Sequence, residues 1–315
     1  MQNGFVIAIA SGKGGTGKTT IATNLAHYVA QLGQKVQYLD CDVEEPNGHI
    51  FLKPQVDRSQ EVTVEVPEVD LEKCTACGKC GQICQYGAIV CIKENVLTFE
   101  QLCHSCGGCW LVCPLDAIKA KPLKVGDIEF GKAGDIDFVH GRLRVGHVRT
   151  PSVIKQVKKH IKENHLAIID VPPGTSCPVV EAVRDVNFVL LVTEPTPFGL
   201  NDLKLAVELV REMDLPFAVA INRQGIGNDQ VEEYCTAENI DTVMKLPDDR
   251  RIAEAYSSGQ MIIDVLPQYK EQFPVVYEYL DSLKEKLDEK RRLRIRRKNN
   301  PRFRSETCGT KNPRC

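Results

Sequence analysis

The sequence predicts an α/β fold with a doubly wound, mostly parallel sheet and a smaller α+β module inserted into it. Apolar runs and helical patterns alternate along most of the 315 residues, as in a parallel sheet that is covered by helices on both faces. A cysteine-rich block, roughly residues 62–121, interrupts this alternation. We therefore predict a discontinuous α/β domain (1–60 and 122–290), an inserted module (61–121) and a basic, flexible C-terminal tail (291–315).

Continuous apolar runs predict the buried strands of the sheet. The first run, Phe5–Ala10, leads through a glycine-rich loop into a helix from about 18 to 32, which ends near Gly33, a suitable C-cap. The other predicted strands are Val36–Asp40, Leu166–Asp170, Asn187–Val192 and Phe217–Ile221. Helices are predicted at about 151–164, 177–184 and 199–213, and short strands at 127–130, 136–139 and 143–145.

The composition narrows the class of protein. With 40 Lys+Arg against 42 Asp+Glu, the chain as a whole has no strong attraction to polyanions. We find no signal peptide and no apolar stretch near the ~20 residues that span a bilayer, and we expect a cytoplasmic protein. In that reducing compartment, 14 cysteines indicate metal ligands rather than disulfides.

A phosphate-binding loop follows the first strand directly. Glycines in such a loop let backbone N–H groups converge on phosphate oxygens at the positive end of the next helix. Lys18 is predicted to reach the β- and γ-phosphates, Thr19 to bind Mg2+, and Asp170 to supply a second carboxylate near the metal. The predicted loop residues are Gly12, Lys13, Gly14, Gly15, Thr16, Gly17, Lys18, Thr19 and Thr20.

The loop sequence GKGGTGKT, residues 12–19, resembles the deviant Walker A motif of the MinD/ParA/nitrogenase-iron-protein superfamily of P-loop ATPases. The resemblance continues in DCDVEEPN, residues 40–47, which is similar to the first switch of that family, and in DVPPGT, residues 170–175, which is similar to the second. It covers about residues 1–60 and 125–290.

The resemblance implies roles for individual residues. Lys13 would reach across a dimer to the partner's nucleotide, Asp42 would orient or deprotonate the attacking water, and Asp170 would bind Mg2+ through water. An alternative role for Asp42 is to cap the next helix, and Asp40 could share either task. The adenine would be held by Asn222, Arg223, Pro247 and Asp248. The sequence NRQG at 222–225 lacks the aspartate of a guanine signature, which favours ATP over GTP.

The cysteine block contains two copies of the pattern C-x2-C-x2-C-x3-C, 29 residues apart. The copies are Cys74, Cys77, Cys80 and Cys84, then Cys103, Cys106, Cys109 and Cys113. This run binds cubane iron–sulfur clusters in bacterial ferredoxins, where the fourth cysteine of each run ligates the other cluster. Each half of the module would contain a cluster loop, a short helix and a strand. So small a module has little core, and its clusters would be its main stabilising elements.

We therefore assign two [4Fe–4S] clusters, each with ligands from both runs. The first would be held by Cys74, Cys77, Cys80 and Cys113, and the second by Cys103, Cys106, Cys109 and Cys84. Two structural zinc sites are the alternative, although zinc ligands usually come as separated C-x2-C pairs. Cys113 precedes a proline, as in the ferredoxin pattern, whereas Cys84 precedes Gln85.

Several other residues leave alternatives open. Cys177 either bridges a dimer through a cluster or is a buried small residue, the interpretation we favour. Cys308 and Cys315 are predicted to be free thiols, although a weak metal site is the alternative, and His104 is a candidate hydrogen-bond donor to the second cluster. The run KRRLRIRRK at 290–298 is either a solvated tail or a site for an acidic partner, anionic lipid or nucleic acid.

Together these features predict a Mg2+-dependent ATPase that couples a conformational change in a homodimer, or in a heterodimer with a paralogue, to electron transfer to an unidentified redox partner. Two alternatives belong to other functional classes. One is an iron–sulfur cluster carrier similar to the Mrp-type ATPases, for which the cluster is cargo. The other is a positioning ATPase that binds membrane or DNA through the basic tail, and such binding would weaken steeply with salt.

Overall fold

The computed structural model describes residues 4–299. The strands are β1 (Phe5–Ala10), β2 (Val36–Asp40), β3 (Gln55–Val69), β4 (Ile89–Ile92), β5 (Asn95–Thr98), β6 (Ile118–Ala133), β7 (Ile136–Leu143), β8 (Leu166–Asp170), β9 (Phe188–Thr193), β10 (Phe217–Gln224) and β11 (Thr242–Pro247). The helices are α1 (Lys18–Gln31), α2 (Gly48–Leu52), α3 (Lys79–Ile83), α4 (Gly108–Leu111), α5 (Thr150–Lys158), α6 (Cys177–Val183), α7 (Pro197–Glu212), α8 (Gln230–Ala237), α9 (Arg250–Ser257), α10 (Ile262–Val265) and α11 (Gln272–Asn299).

The main sheet has nine strands in the order β11-β10-β9-β1-β8-β2-β7-β6-β3. Pairing is parallel from β11 to β7 and antiparallel for β7–β6 and β6–β3. The prediction of a doubly wound, mostly parallel sheet is confirmed. β2 and β8 are adjacent and in register, and Asp40 and Asp170 are their last residues. The two carboxylates therefore lie side by side, where the carboxyl ends of the parallel strands meet.

Helices cover both faces of this sheet, and each face has its own hydrophobic core. Residues of α5, α6, α7 and α8 pack on one face, together with alternate strand residues such as Ala8 and Val189. Residues of α1, α2, α10 and α11 pack on the other face, together with Ile7 and Leu190. Alternation of neighbouring residues between the two cores explains why these strands are apolar along their whole length.

The cysteine block lies at the far end of two long strands. β3 and β6 pair over most of their length, from Gln55 with Lys132 to Val69 with Ile118. Only residues from Gly126 onward in β6 also pair with β7, so the two strands continue beyond the main sheet and carry the segment between Val69 and Ile118. The predicted strands 127–130 and 136–139 are parts of longer ones. The predicted strand at 143–145 is wrong, because the chain turns after Leu143.

The cysteine segment has a small interior. A two-stranded sheet, β4–β5, and the short helices α3 and α4 surround two clusters of buried side chains, one with four members and one with three. Three of these seven side chains are cysteines predicted to be ligands, namely Cys80, Cys109 and Cys103. A module with so small an apolar core needs further stabilisation, and bound metal clusters are one source of it.

The last helix, α11, packs on the sheet through Phe273, Val276 and Leu280 and continues to Asn299. The predicted tail, 291–315, therefore begins inside this helix, and residues 300–315, with Cys308 and Cys315, lie outside the described residues. Within the described chain, no helix is long and apolar enough to span a bilayer.

Candidate nucleotide site and cysteine pockets

The phosphate-binding loop occupies the turn between β1 and α1. Gly15 and Gly17 have φ angles of 79° and 92°, a region that glycine adopts without strain. A Cβ on Gly17 would also lie 2.3 Å from Nδ2 of Asn222. That amide donates a hydrogen bond of 2.8 Å to the carbonyl of Thr16. Asn222, which we had predicted to hold adenine, thus also fixes the shape of the loop.

One cation, Lys18, and three carboxylates, those of Asp40, Asp42 and Asp170, lie together beside the loop. Lys18 is only 6% exposed, and this burial lowers the pKa of its ammonium, although the nearby carboxylates oppose the shift. Asp170 is also buried, and burial raises its pKa, while the neighbouring Thr19 hydroxyl, the charge of Lys18 and the hydrogen bond from Tyr38 act in the opposite direction. The Tyr38 hydroxyl donates to Oδ2 of Asp170 at 2.9 Å. The other oxygen, Oδ1, is buried without a partner among the described residues.

These contacts fit a hydrated metal ion. An unpartnered buried carboxylate oxygen next to the hydroxyl of Thr19 provides the oxygen donors that Mg2+ prefers, either directly or through its water shell. Lys18 places a positive charge beside the same oxygens. The residues present therefore fit a magnesium–nucleotide complex.

Asp40 and Asp42 have different environments although they are two residues apart. Asp40 is fully buried and accepts hydrogen bonds from the backbone N–H groups of Asp42 (3.1 Å) and Gly48 (2.9 Å). It thereby shapes the segment between β2 and α2. Asp42 lines the pocket beside the phosphate-binding loop. Burial, together with the charge of Asp170, raises the pKa of Asp42 to about 7. Asn47 occupies the N-cap position of α2, so Asp42 does not cap that helix.

The pocket beside the loop contains most of the residues predicted to bind nucleotide. The predicted residues that line it are Gly14, Gly15, Gly17, Lys18, Thr19, Thr20, Asp42, Asn222, Arg223, Pro247 and Asp248. Gly12 lies outside the pocket, where a Cβ would meet the Asp202 carbonyl oxygen at 2.1 Å. An apolar wall of the pocket, formed by Ile252, Ala253 and Tyr256 of α9, is not predicted from the sequence. Their helical spacing in the sequence is that of any amphipathic helix, so no signal distinguished them.

Lys13 does not point into this pocket. Its ammonium pairs with the carboxylate of Glu194 at the end of β9, and the other oxygen of Glu194 lies 3.3 Å from Nη1 of Arg223. Glu194 is buried, with 7% of its surface exposed. In the single chain, therefore, the lysine that was predicted to cross a dimer is bound to a carboxylate of its own subunit. Sequence analysis did not identify Glu194.

The eight predicted ligand cysteines line two separate pockets. Cys74, Cys77, Cys80 and Cys113 line one pocket. Cys84, Cys103, Cys106 and Cys109 line the other. Each pocket combines three thiols from one run with the fourth thiol of the other, and both donor sets consist of sulfur alone.

Backbone N–H groups point at the sulfurs in matching positions of the two halves. In the first half, Ala76 donates to Sγ of Cys74 at 3.4 Å and Ala88 donates to Sγ of Cys84 at 3.3 Å. Their counterparts 29 residues later, Ser105 and Ala117, donate to Cys103 and Cys113 at 3.4 and 3.3 Å. Backbone N–H groups lower the pKa of Cys84 although burial opposes the shift, whereas burial raises the pKa of Cys80 and Cys109. Such donors stabilise thiolates, the form in which cysteine binds metal.

The thiols around each pocket match the donor set of a cubane. Four cysteines, three from one run and one from the other, are the ligands of each [4Fe–4S] cluster in two-cluster ferredoxins. A cubane carries one iron at each thiolate, so its four ligands stand farther apart than the four ligands of one zinc ion. In the described part of the chain, no group of three or more His, Cys, Asp or Glu side chains is placed to hold a single metal ion.

The remaining cysteines differ from one another in exposure. Cys177 is exposed at the start of α6, so our interpretation of it as a buried small residue is wrong. Cys41 and Cys235 are buried. Cys91 is half-buried and its thiol donates to the carbonyl of Ala76, in the first cysteine loop, at 3.2 Å. His104 stacks on Tyr86, with ring centroids 3.7 Å apart, at the edge of the second pocket.

Comparisons with known proteins agree with the nucleotide site. A relative from Methanocaldococcus jannaschii, named only as an uncharacterized protein, is 30% identical over 84% of this chain and 93% of its own length. The iron–sulfur cluster carrier protein of Pyrococcus abyssi is 24% identical over 91% of this chain and 90% of its own. The fold is that of the septum site-determining protein MinD of Pyrococcus horikoshii, solved with Mg-ADP, with a TM-score of 0.56 and 22% identity over 89% of this chain and 97% of MinD. A family profile matches residues 7–263, and the chain belongs to the family of the CobQ/CobB/MinD/ParA nucleotide binding domain.

Proposed function

We propose that this protein is a Mg2+-dependent ATPase of the MinD/ParA type that couples nucleotide-driven dimer rearrangement to electron transfer through two [4Fe–4S] clusters. The observation that carries the proposal is the pair of all-sulfur pockets, each lined by three thiols of one run and one of the other. The strands that bear these pockets, β3 and β6, belong to the same sheet as the nucleotide site.

The residues around the phosphate loop support ATP binding and hydrolysis. Lys18 and the loop N–H groups would bind the phosphates, and Thr19 with Asp170 would hold the Mg2+ shell. Asp42 lines the same pocket with a pKa of about 7, so a substantial fraction of it is carboxylate at neutral pH. A carboxylate with that pKa is suited to orient a water and accept its proton. The MinD relative that shares the fold was solved with Mg-ADP.

Dimer formation would change the partner of Lys13. In the single chain its ammonium is paired with Glu194. A γ-phosphate of the partner's nucleotide carries more negative charge than this carboxylate and would compete with it for the lysine. ATP binding would thus favour the dimer, and hydrolysis would let Lys13 return to Glu194.

Protein groups around the sulfur pockets would determine how the clusters behave. Bound clusters would supply one-electron transfer. Cys80, Cys103 and Cys109 are buried, and the N–H donors at the pocket rims orient and stabilise the thiolates. Buried, hydrogen-bonded ligands favour clusters that stay in place. A redox partner would approach the exposed side of each pocket, where Cys77 and Cys106 lie.

The second candidate is an iron–sulfur cluster carrier, because the relative from Pyrococcus abyssi bears that name at 24% identity. For a carrier, the cluster is cargo and has to leave. Ligands that contribute to the core of the module, as Cys80 and Cys109 do, argue against release.

The two candidates are separated by anaerobic measurement of ATP turnover with oxidised and with dithionite-reduced protein, while iron content and EPR follow the clusters. The proposal predicts about eight iron atoms per chain, retained through turnover, and a turnover or nucleotide affinity that depends on redox state. Loss of iron to an apo-acceptor on addition of ATP, with no effect of redox state, would instead establish the carrier. As a matched control, the Lys18→Ala variant should keep its iron but lose nucleotide binding.

A further inference from the structure

A buried arginine lies between the cysteine module and the ATPase core. Arg149, at the N-cap of α5, is 6% exposed. Its Nη2 donates to the carbonyl of Glu100 at 2.6 Å, but Nε and Nη1 are buried without a partner among residues 4–299. Within the same described residues, Arg149 forms no ion pair with a carboxylate. A buried cation without compensation is unfavourable, so this guanidinium requires a negative group.

The second cysteine pocket offers such a group beside Arg149, in addition to the nearby carboxylate of Glu100. The carbonyl of Glu100 that accepts from Arg149 also accepts from the backbone N–H of Cys103, at 3.3 Å. A thiolate at Cys103 lies close enough to attract the guanidinium. The position that corresponds to Glu100 in the first half of the module is Leu71, which is 72% exposed, so the first pocket has no equivalent buried contact.

The next residue in the chain contacts the nucleotide side. The hydroxyl of Thr150 donates to Oε1 of Glu44 at 2.6 Å. Glu44 is two residues after Asp42, in the turn that Asp42 and Glu45 close with a backbone hydrogen bond of 3.1 Å. Adjacent residues, Arg149 and Thr150, therefore bind the second cysteine loop and the segment that carries the predicted hydrolytic carboxylate.

We infer that Arg149 compensates the charge of the cluster held by Cys84, Cys103, Cys106 and Cys109, and that the Arg149–Thr150 segment couples this charge to Asp42. The inference rests on the proposed function and specifies its regulation. Reduction adds one negative charge to the cluster and strengthens its attraction for the guanidinium. A shift of Arg149 moves Thr150 and, through Glu44, the segment beside the γ-phosphate. By linkage, nucleotide binding alters the same cluster's affinity for an electron.

The charge claim is tested by a dithionite titration of anaerobic, cluster-loaded protein followed by EPR. In Arg149→Gln, reduction of the second cluster should become harder. At a fixed potential, its ratio of reduced to oxidised form should fall about tenfold, equivalent to about 59 mV, with no change at the first cluster. The Cys106→Ser variant identifies which signal is the second cluster. Equal shifts at both clusters, or none, would overturn the claim.

Lys121→Gln is the matched control. The Lys121 ammonium lies 3.1 Å from the carboxylate of the same Glu100, but its side chain is 43% exposed, so water screens its charge. Its removal should change the second cluster's ratio by less than about twofold. If the second cluster does not form in Arg149→Gln, the Arg149→Lys variant shows whether Arg149 acts through its charge or through packing. Assembly with the wild-type potential supports charge compensation, whereas failure of both variants shows that Arg149 is needed for packing and overturns it.

The coupling of the cluster to Asp42 through Thr150 and Glu44 is tested with Thr150→Val. This variant removes the hydrogen bond to Glu44 but keeps Arg149. Without nucleotide, both clusters should retain their wild-type potentials. With Mg2+ and a non-hydrolysable ATP analogue, the shift of the second cluster seen in the wild type should be lost. Persistence of that shift would overturn the coupling route. If the wild type itself shows no nucleotide-dependent shift, the proposed function fails, whereas the Arg149→Gln result still decides the charge claim.

Discussion

The nucleotide site and the cysteine module belong to one chain and one sheet, but the apolar core that surrounds each of them differs greatly in size. The nucleotide site lies at the carboxyl ends of the central strands of the sheet, and this sheet has an extensive hydrophobic core on each face. The module has seven buried side chains in its two small cores, and three of them are predicted ligands. A site can be supported by a scaffold that folds without it, or the bound group can itself hold the scaffold together. The cores on both faces of the sheet put the nucleotide site in the first class, and on the proposed function the module belongs to the second.

The largest expected effect follows from removing clusters. Chelation of iron under air, or the Cys80→Ser variant, should unfold the module, because the thiols are then small side chains in an insufficient core. Hydrogen exchange should lose protection across residues 70–117, while β1 and β8 remain protected. ATP should still bind, but its affinity should no longer depend on added dithionite, because the clusters that respond to it are gone. Loss of protection throughout the main sheet would show that this sheet does not fold without the module.

The next largest effect is expected on ATP turnover at the nucleotide site. Asp42→Asn should reduce ATP turnover at least about 100-fold, as expected when a group that accepts a proton is removed. ATP binding, measured by calorimetry, should be retained. Because Asp42 has to be ionised and its pKa is about 7, wild-type kcat/KM should fall as the pH is lowered from 8 to 6. A residual activity in Asp42→Asn with the same pH profile would assign the titration to another group.

The same carboxylate should decrease the stability of the nucleotide-free protein. The pKa of Asp42 is raised from 3.8 to about 7, so its ionised form is disfavoured in the folded state. Its protonated form stabilises the fold at low pH, and this contribution is lost as the pH rises from about 4, the unfolded pKa, to about 7, the folded pKa. Asp42→Asn should therefore increase the free energy of unfolding by about 4 kcal/mol at pH 8 and by less than about 2 kcal/mol at pH 5. An equal change at both pH values would contradict the assignment.

A smaller effect is expected from the loop backbone. Gly17→Ala would place a Cβ 2.3 Å from the Asn222 amide at a φ of 92°. The loop must shift to relieve this contact, and we expect about tenfold weaker ATP binding. Gly33→Ala is the control, since its φ is also positive but its Cβ would have no neighbour within 4 Å. It should lower stability without altering ATP affinity.

The smallest expected effect is at the metal. Tyr38→Phe removes the hydroxyl that donates to Oδ2 of Asp170. This leaves the carboxylate with one partner fewer, and the Mg2+ concentration needed for half-maximal turnover should change about threefold. Because the aromatic ring of Tyr38 stays stacked on Phe138, the free energy of unfolding should change by only about 1 kcal/mol. A larger loss of stability would show that the hydroxyl is structural.

The elements that could be predicted from the sequence are those whose residue types are determined by local backbone geometry or by burial. Buried parallel strands such as Phe5–Ala10 are apolar on both faces, and the phosphate loop needs its glycines for backbone geometry. The edge strand β3 was missed because much of it is exposed and its sequence, QVDRSQEVTVEVPEV, is polar. Strand β11 was missed because Lys245 and Pro247 interrupt its apolar pattern.

Contacts between distant parts of the chain could not be predicted in this way. Glu194 is 181 residues from Lys13, and no spacing rule joins them. Arg149 resembles any surface arginine in the sequence, and only the fold reveals that it is buried next to Cys103. The crossed cysteine sets are an exception, because the repeated run itself specifies how the fourth cysteine is exchanged.

The account depends most on linkage between the two regions, and the direct test is the dissociation constant of Mg-ATP in oxidised and in dithionite-reduced protein under anaerobic conditions. The account predicts a difference of at least about fivefold, matched by an equal free-energy change in the potential of a cluster when ATP binds. Lys18→Ala should abolish both effects. Identical constants in protein whose two clusters are fully reducible would contradict the account and leave two independent sites on one chain.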